Sequence, residues 1–150
     1  MVLVVLVVNK MELGTFGSIL KYAIELETEA TKFYTSMTSH ASDQKLVDLF
    51  KELVLRGEKR IKTLERVRRE NTTEMILEPI KDFNSDEYSI DTTTIPSDND
   101  ATRNMAIDIE TKLEEFYNTA AKKIEFLIEA AYAFELLAEK NTETKKRLMS

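Results

Sequence analysis

Apolar residues recur every three to four positions over long stretches of the chain, the spacing that builds one face of a helix. The first helix is expected from about Ser18 to Ser39, with Ile19, Leu20, Ala23, Ile24, Ala30, Phe33, Tyr34 and Met37 sharing a face. His40-Ala41-Ser42-Asp43 reads as a turn, and Ser42 or Asp43 can cap a second helix that runs to about Glu70. Leu46, Leu49, Phe50, Leu53, Val54, Ile61 and Leu64 form its inward stripe. Residues from about 71 to 97 lose the periodicity, hold both prolines (Pro79 and Pro96), and predict a long crossover with one short helical turn near Met75–Ile80. A connection of that length lets the third helix start at the same end of the bundle as the second. Ser97-Asp98-Asn99-Asp100 supplies caps for that third helix, and no Gly or Pro follows it to Ser150.

The turn between the third and fourth helices is expected at Ile124–Leu127, although Ile-Glu-Phe-Leu is a poor turn sequence. The alternative is one long helix, exchanged between two chains as a domain swap. Either way the fold class is all-α. The first residues, MVLVVLVVNK, are too few for a helix to cross the ~30 Å core of a bilayer. No basic stretch precedes the run and no small-residue cleavage site follows it, which argues against a signal peptide. Residues 1–10 are therefore read as an apolar extension to a single domain over 11–150. They are either a β-prone segment for self-association or a plain tail.

Composition narrows the chemistry. The 150 residues include 3 Gly, 2 Pro and no Cys, which leaves little room for a turn-rich β fold. Without Cys there are no disulfides, thiolate metal sites or cysteine nucleophiles. The lack of a disulfide framework suits a cytoplasmic setting. A net charge of -6 disfavours nucleic acid as a partner. The cations in the second half of the second helix (Arg56, Lys59, Arg60, Lys62, Arg66, Arg68, Arg69) are interleaved with Glu58, Glu65 and Glu70. They are read as complementing the helix dipole. A single histidine, His40, lies about 20 Å along the axis from Glu27 at 1.5 Å per residue, too far to share a metal with it.

An internal repeat carries the most information. Ala23-Ile24-Glu25-Leu26-Glu27-Thr28 is echoed by Ala106-Ile107-Asp108-Ile109-Glu110-Thr111, and Phe33-Tyr34 by Phe116-Tyr117 at the same offset. Phe50 and Leu53 are echoed, one residue out of step, by Phe134 and Leu137. Glu27 and Glu110 each interrupt an apolar stripe. A carboxylate turned into a bundle is costly unless it is paired, protonated or bound to a metal.

The pattern Ala-Ile-x-x-Glu-x-x-Ala-x-x-Phe-Tyr, Ala23 to Tyr34 with a variant at Ala106 to Tyr117, resembles the ferritin-like superfamily, in its rubrerythrin branch. The resemblance covers about Ser18 to Ser150 and implies an antiparallel four-helix bundle. In that family a di-iron centre takes one Glu from each of helices one and three, and a Glu-x-x-His from each of helices two and four. It implies metal-ligand positions at Glu27 and Glu110. The remaining positions fall on Gly57 and Arg60 in the second helix, and on Asn141 and Thr144 in the fourth, so four of six ligands have changed. Tyr34 and Tyr117, seven residues after the two glutamates, are expected beside the site as packed rings with bonded hydroxyls. Glu58 and Glu143 lie roughly 100° around their helices from the changed positions and cannot substitute.

Arg60 is expected to stand in the metal position and neutralise Glu27, Glu110 or both, with Gly57 leaving volume beside it and Asn141 and Thr144 satisfying the other oxygens. The sequence thus favours a ferritin-like protein that has lost di-iron catalysis, holds no cofactor, and serves a structural or interaction role as a homo-oligomer, a dimer at the simplest, whose protein partner is unknown. The alternative is a rubrerythrin-type oxidoreductase acting on peroxide or oxygen, in which Glu27, Glu110 and further ligands hold iron or another divalent metal.

Overall fold

The computed structural model describes residues 12–70 and 80–150, so the apolar extension and the helical turn expected near Met75 lie outside the described residues. Four long helices account for most of the rest: α1 (Phe16–His40), α2 (Gln44–Glu70), α3 (Asn99–Lys123) and α4 (Ile128–Met149). α1 and α2 form one antiparallel hairpin and α3 and α4 a second, while α1 also meets α3. Two of the helices begin where the sequence offers a side-chain acceptor. Thr15 and Ser18 make a reciprocal capping box at the start of α1, and the Asp98 carboxylate accepts from the Ala101 amide at the start of α3. None of these helices is long and apolar enough to cross a membrane.

The second half of the crossover packs over the seam between α1 and α3. Phe83 stacks on Phe116 with ring centroids 5.6 Å apart, and Tyr88 meets the same ring edge-on at 5.7 Å. Tyr22 donates to the Ser85 carbonyl at 2.8 Å, beside a single 3-10 turn at Ser85–Glu87. The chain ahead of α1 adds to this layer, since the Leu13 amide donates to the Phe83 carbonyl and the Ile80 amide donates to the Gly14 carbonyl. At the far end Ser42 and Asn99 exchange hydrogen bonds, which puts the start of α3 beside the start of α2.

Between α3 and α4 the chain turns at residues 124–127, so the single long helix considered as an alternative is interrupted there. The apolar turn residues have a packing reason. Ile124 is fully buried under the helix ends, and the turn closes through the Ile124 amide to Ala120 and the Leu127 amide to Ile124. Burial of Ile124 replaces the usual turn chemistry with hydrophobic anchoring.

Candidate functional site

Both repeat glutamates point into the bundle and are fully inaccessible to solvent. Their partners come from all four helices. Glu27 on α1 accepts through Oε2 from Arg60 of α2 at 3.0 Å and from the Tyr117 hydroxyl of α3 at 2.5 Å. Glu110 on α3 accepts from Arg56 of α2 through both oxygens, each at 2.8 Å. Its Oε2 also accepts from the Tyr34 hydroxyl of α1 at 2.6 Å, and its Oε1 from the Asn141 amide of α4 at 2.8 Å. The tyrosines are therefore crossed: each reaches the glutamate of the other hairpin. The repeat makes this geometry natural, because a residue seven positions after a glutamate returns to the same face two turns along.

The layer holds two carboxylates and two guanidiniums, so its formal charges cancel. Burial works to raise the Glu110 carboxyl. The Arg56 charge and the hydrogen bonds from Arg56, Tyr34 and Asn141 outweigh it and hold that carboxyl below its ordinary range. Burial, and then the adjoining carboxylate, push both tyrosine hydroxyls well above their usual value, which keeps them protonated as donors. Arg60 also stacks over the Tyr117 ring at 5.8 Å, donates to the Leu137 carbonyl at 3.3 Å and reaches the Asn141 Oδ1 at 3.4 Å. The two ends are unequal. Glu27 Oε1 is buried and accepts no hydrogen bond from the described residues, whereas Glu110 receives four.

Two features differ from what the sequence led us to expect. Arg56, assigned to the helix dipole with its basic neighbours, is instead half of the inner charge layer, with its side chain 17% exposed and bidentate on Glu110. Its spacing carried the signal, because Arg56 precedes Arg60 by four residues and shares that residue's face. Gly57 does not leave room for a guanidinium. A Cβ there would lie 1.9 Å from the Thr31 hydroxyl of α1, so the glycine lets α1 and α2 pack closely. Gly57→Ala is accordingly expected to cost about 1–3 kcal/mol by overpacking. Thr31→Ala in the same chain should recover most of that loss in urea unfolding. A Gly57→Ala chain as stable as the parent would show that the contact relaxes freely.

The other expected residues fall as follows. Thr144 sits at the layer, its hydroxyl 3.4 Å from an Arg56 nitrogen. Glu58 is exposed, and Glu143 points outward to an ion pair with Lys140. His40 is exposed at the end of α1, with Nδ1 against the Ser36 carbonyl at 2.8 Å.

The donors do not suit a di-metal centre. Both carboxylates are held by guanidiniums, no imidazole lies at the layer, and no group of three or more His, Asp or Glu side chains converges among the described residues. A metal would have to displace Arg56 or Arg60 from a buried ion pair. No family model, curated protein or solved structure matches this chain.

Proposed function

We infer that this chain is a ferritin-like bundle, of rubrerythrin type, in which paired guanidiniums stand where the family places two metals, and that its role is structural or interactive rather than catalytic. The observation that carries this reading is the pairing of Arg56 with Glu110 and Arg60 with Glu27 inside the bundle. Such a layer fixes how the two hairpins face each other, since the Arg56–Glu110 pair and both tyrosine bonds run between hairpins. The fused charges replace a metal as the polar element that sets the register. An interaction role is supported by Ile128, Tyr132 and Leu136, which form a row on α4 at four-residue spacing and are 79, 60 and 41% exposed. A second copy of the chain is the simplest partner for that row.

Elemental analysis tests the reading directly. Protein produced with iron, manganese or zinc supplied is expected to carry no stoichiometric metal and to show no peroxide reduction. One or two metals per chain, lost in a Glu27→Ala/Glu110→Ala variant, would overturn it in favour of a metal-dependent oxidoreductase. The dimer is tested by sedimentation, where Tyr132→Glu should shift the chain to monomer with its helicity intact.

A further inference from the structure

The crossover covers the seam between α1 and α3, but among the described residues the opposite seam, between α2 and α4, is open as a groove of about 540 Å³. A second hollow of about 520 Å³ continues it past the turn between α3 and α4, sharing Phe16, Val67, Ala130 and Ala133 with the first. Volumes of this size are those of small-molecule sites. From Glu52 to Val67 the groove follows α2 for fifteen residues, or roughly 22 Å at 1.5 Å per residue.

Its polarity is segregated along its length. At one end the walls are Phe16, Leu64, Val67, Ala130, Phe134 and, beyond, Ile128, with Glu129 the charged residue of that end. At the other end lie Arg56, Lys59, Arg60, Lys140 and Arg147, with Glu52 and Glu143. Four of those five cations already have carboxylates: Arg56 has Glu110, Arg60 has Glu27, Lys140 has Glu143 and Arg147 has Glu52. Lys59 has none among the described residues, so the polar end carries one surplus positive charge.

The geometry points to this groove as a binding site for a single-chain amphiphile with one negative charge, a free long-chain carboxylate. Its carboxylate lies over Lys59 and its alkyl chain runs between α2 and α4 toward Phe16 and Ala130. A lipid chain occupies half of the ~30 Å apolar bilayer core, about 15 Å. From Lys59 to Val67 the groove gives roughly 12 Å along α2, and the second hollow extends the apolar path past Val67 to Leu127, so one such chain fits beyond its head. The single surplus charge matches a monoanion and not a dianionic phosphate. This inference goes beyond the metal question, and its count of one surplus charge rests on the proposed metal-free layer, in which Arg56 and Arg60 stay paired with Glu110 and Glu27.

Calorimetric titration of the full chain with sodium decanoate, dodecanoate and tetradecanoate, each below its micelle concentration, tests the site. One molecule should bind per chain, with affinity rising about fourfold per added methylene. Dodecyltrimethylammonium, of opposite charge, should bind at least tenfold more weakly than dodecanoate. Lys59→Glu should lower carboxylate affinity about tenfold while the chain-length trend persists. Ala133→Phe, at an exposed position in the apolar half, should weaken tetradecanoate more than decanoate. Both variants change exposed side chains, and unchanged far-UV circular dichroism confirms their fold. Absence of saturable binding, indifference to head-group charge, or Lys59→Glu without effect would overturn the proposal. So would dimerisation that blocks the groove, since a second copy would then be its occupant.

Discussion

Replacing Arg56 with methionine is expected to lower the unfolding free energy by about 3–5 kcal/mol near neutral pH, the usual cost of removing one partner of a buried ion pair. The side chains are of similar length, so lost volume is a minor part of this. What remains is Glu110, fully buried and left with the Tyr34 hydroxyl and the Asn141 amide but without a counter-charge. The pH dependence separates that cause from poor packing. In the parent, Glu110 is held below its ordinary range. Its contribution is therefore present above the unfolded carboxylate value of about 4.3, and is lost as pH falls through the lower folded value. In the variant, burial acts unopposed by Arg56 and the folded carboxyl titrates above the unfolded one. The variant then loses stability as pH rises through that value. The gap between the two proteins should be widest at pH 7 and close toward pH 4. A gap that is constant over this range would mean that Arg56 acts only by filling space. Glu110→Gln added to Arg56→Met should recover a large part of the loss, because it removes the stranded charge.

The fold was largely open to inspection in the sequence because its signals are local. Helical periodicity located α1 and α2 to within a few residues, and the Ser97–Asp100 cluster marked the start of α3. The turn at 124–127 was indicated by the repeat and contradicted by its own residue types. Burial of Ile124 resolves the conflict, and burial is a tertiary fact that turn propensity does not encode. The repeat likewise singled out Glu27, Glu110, Tyr34 and Tyr117, but not that the tyrosines would cross between hairpins. That pairing depends on the offset between α1 and α3, which no residue within either helix specifies. Arg56 was obscured by its surroundings. In a run of seven cations each one has a ready surface explanation, and only its four-residue distance from Arg60 distinguished it. Gly57 is ambiguous in the sequence for a related reason. Within α2 its missing side chain leaves a gap, and which neighbour fills that gap is decided by Thr31 on another helix.

The same details decide how a metal site could be introduced, and doing so is the most demanding test of the proposed ferritin-like register. Changing only the four positions that the proposed correspondence assigns to metal ligands, with Gly57→Glu, Arg60→His, Asn141→Glu and Thr144→His, is expected to fail. A glutamate side chain in place of Gly57 would strike Thr31, and Arg56 would still occupy both oxygens of Glu110. Adding Thr31→Ala and Arg56→Leu removes both obstacles. The sixfold variant then carries four glutamates and two histidines toward one layer, the ligand set of ferritin-like di-metal proteins. Without metal, four buried carboxylates repel one another and the variant should be far less stable than the parent. With iron(II) or cobalt(II) at a hundredfold excess over Kd, the folded state gains about 2.7 kcal/mol for one site. At about 2–4 °C per kcal/mol for a chain of this size, that is a rise in Tm of about 5–11 °C. The parent should show no such rise, because Arg56 and Arg60 already neutralise the layer. A sixfold variant that folds yet ignores both metals would break the correspondence between residues 57, 60, 141 and 144 and the family's ligand positions. The inner charge layer would then be a feature of this bundle alone, with no metal centre behind it.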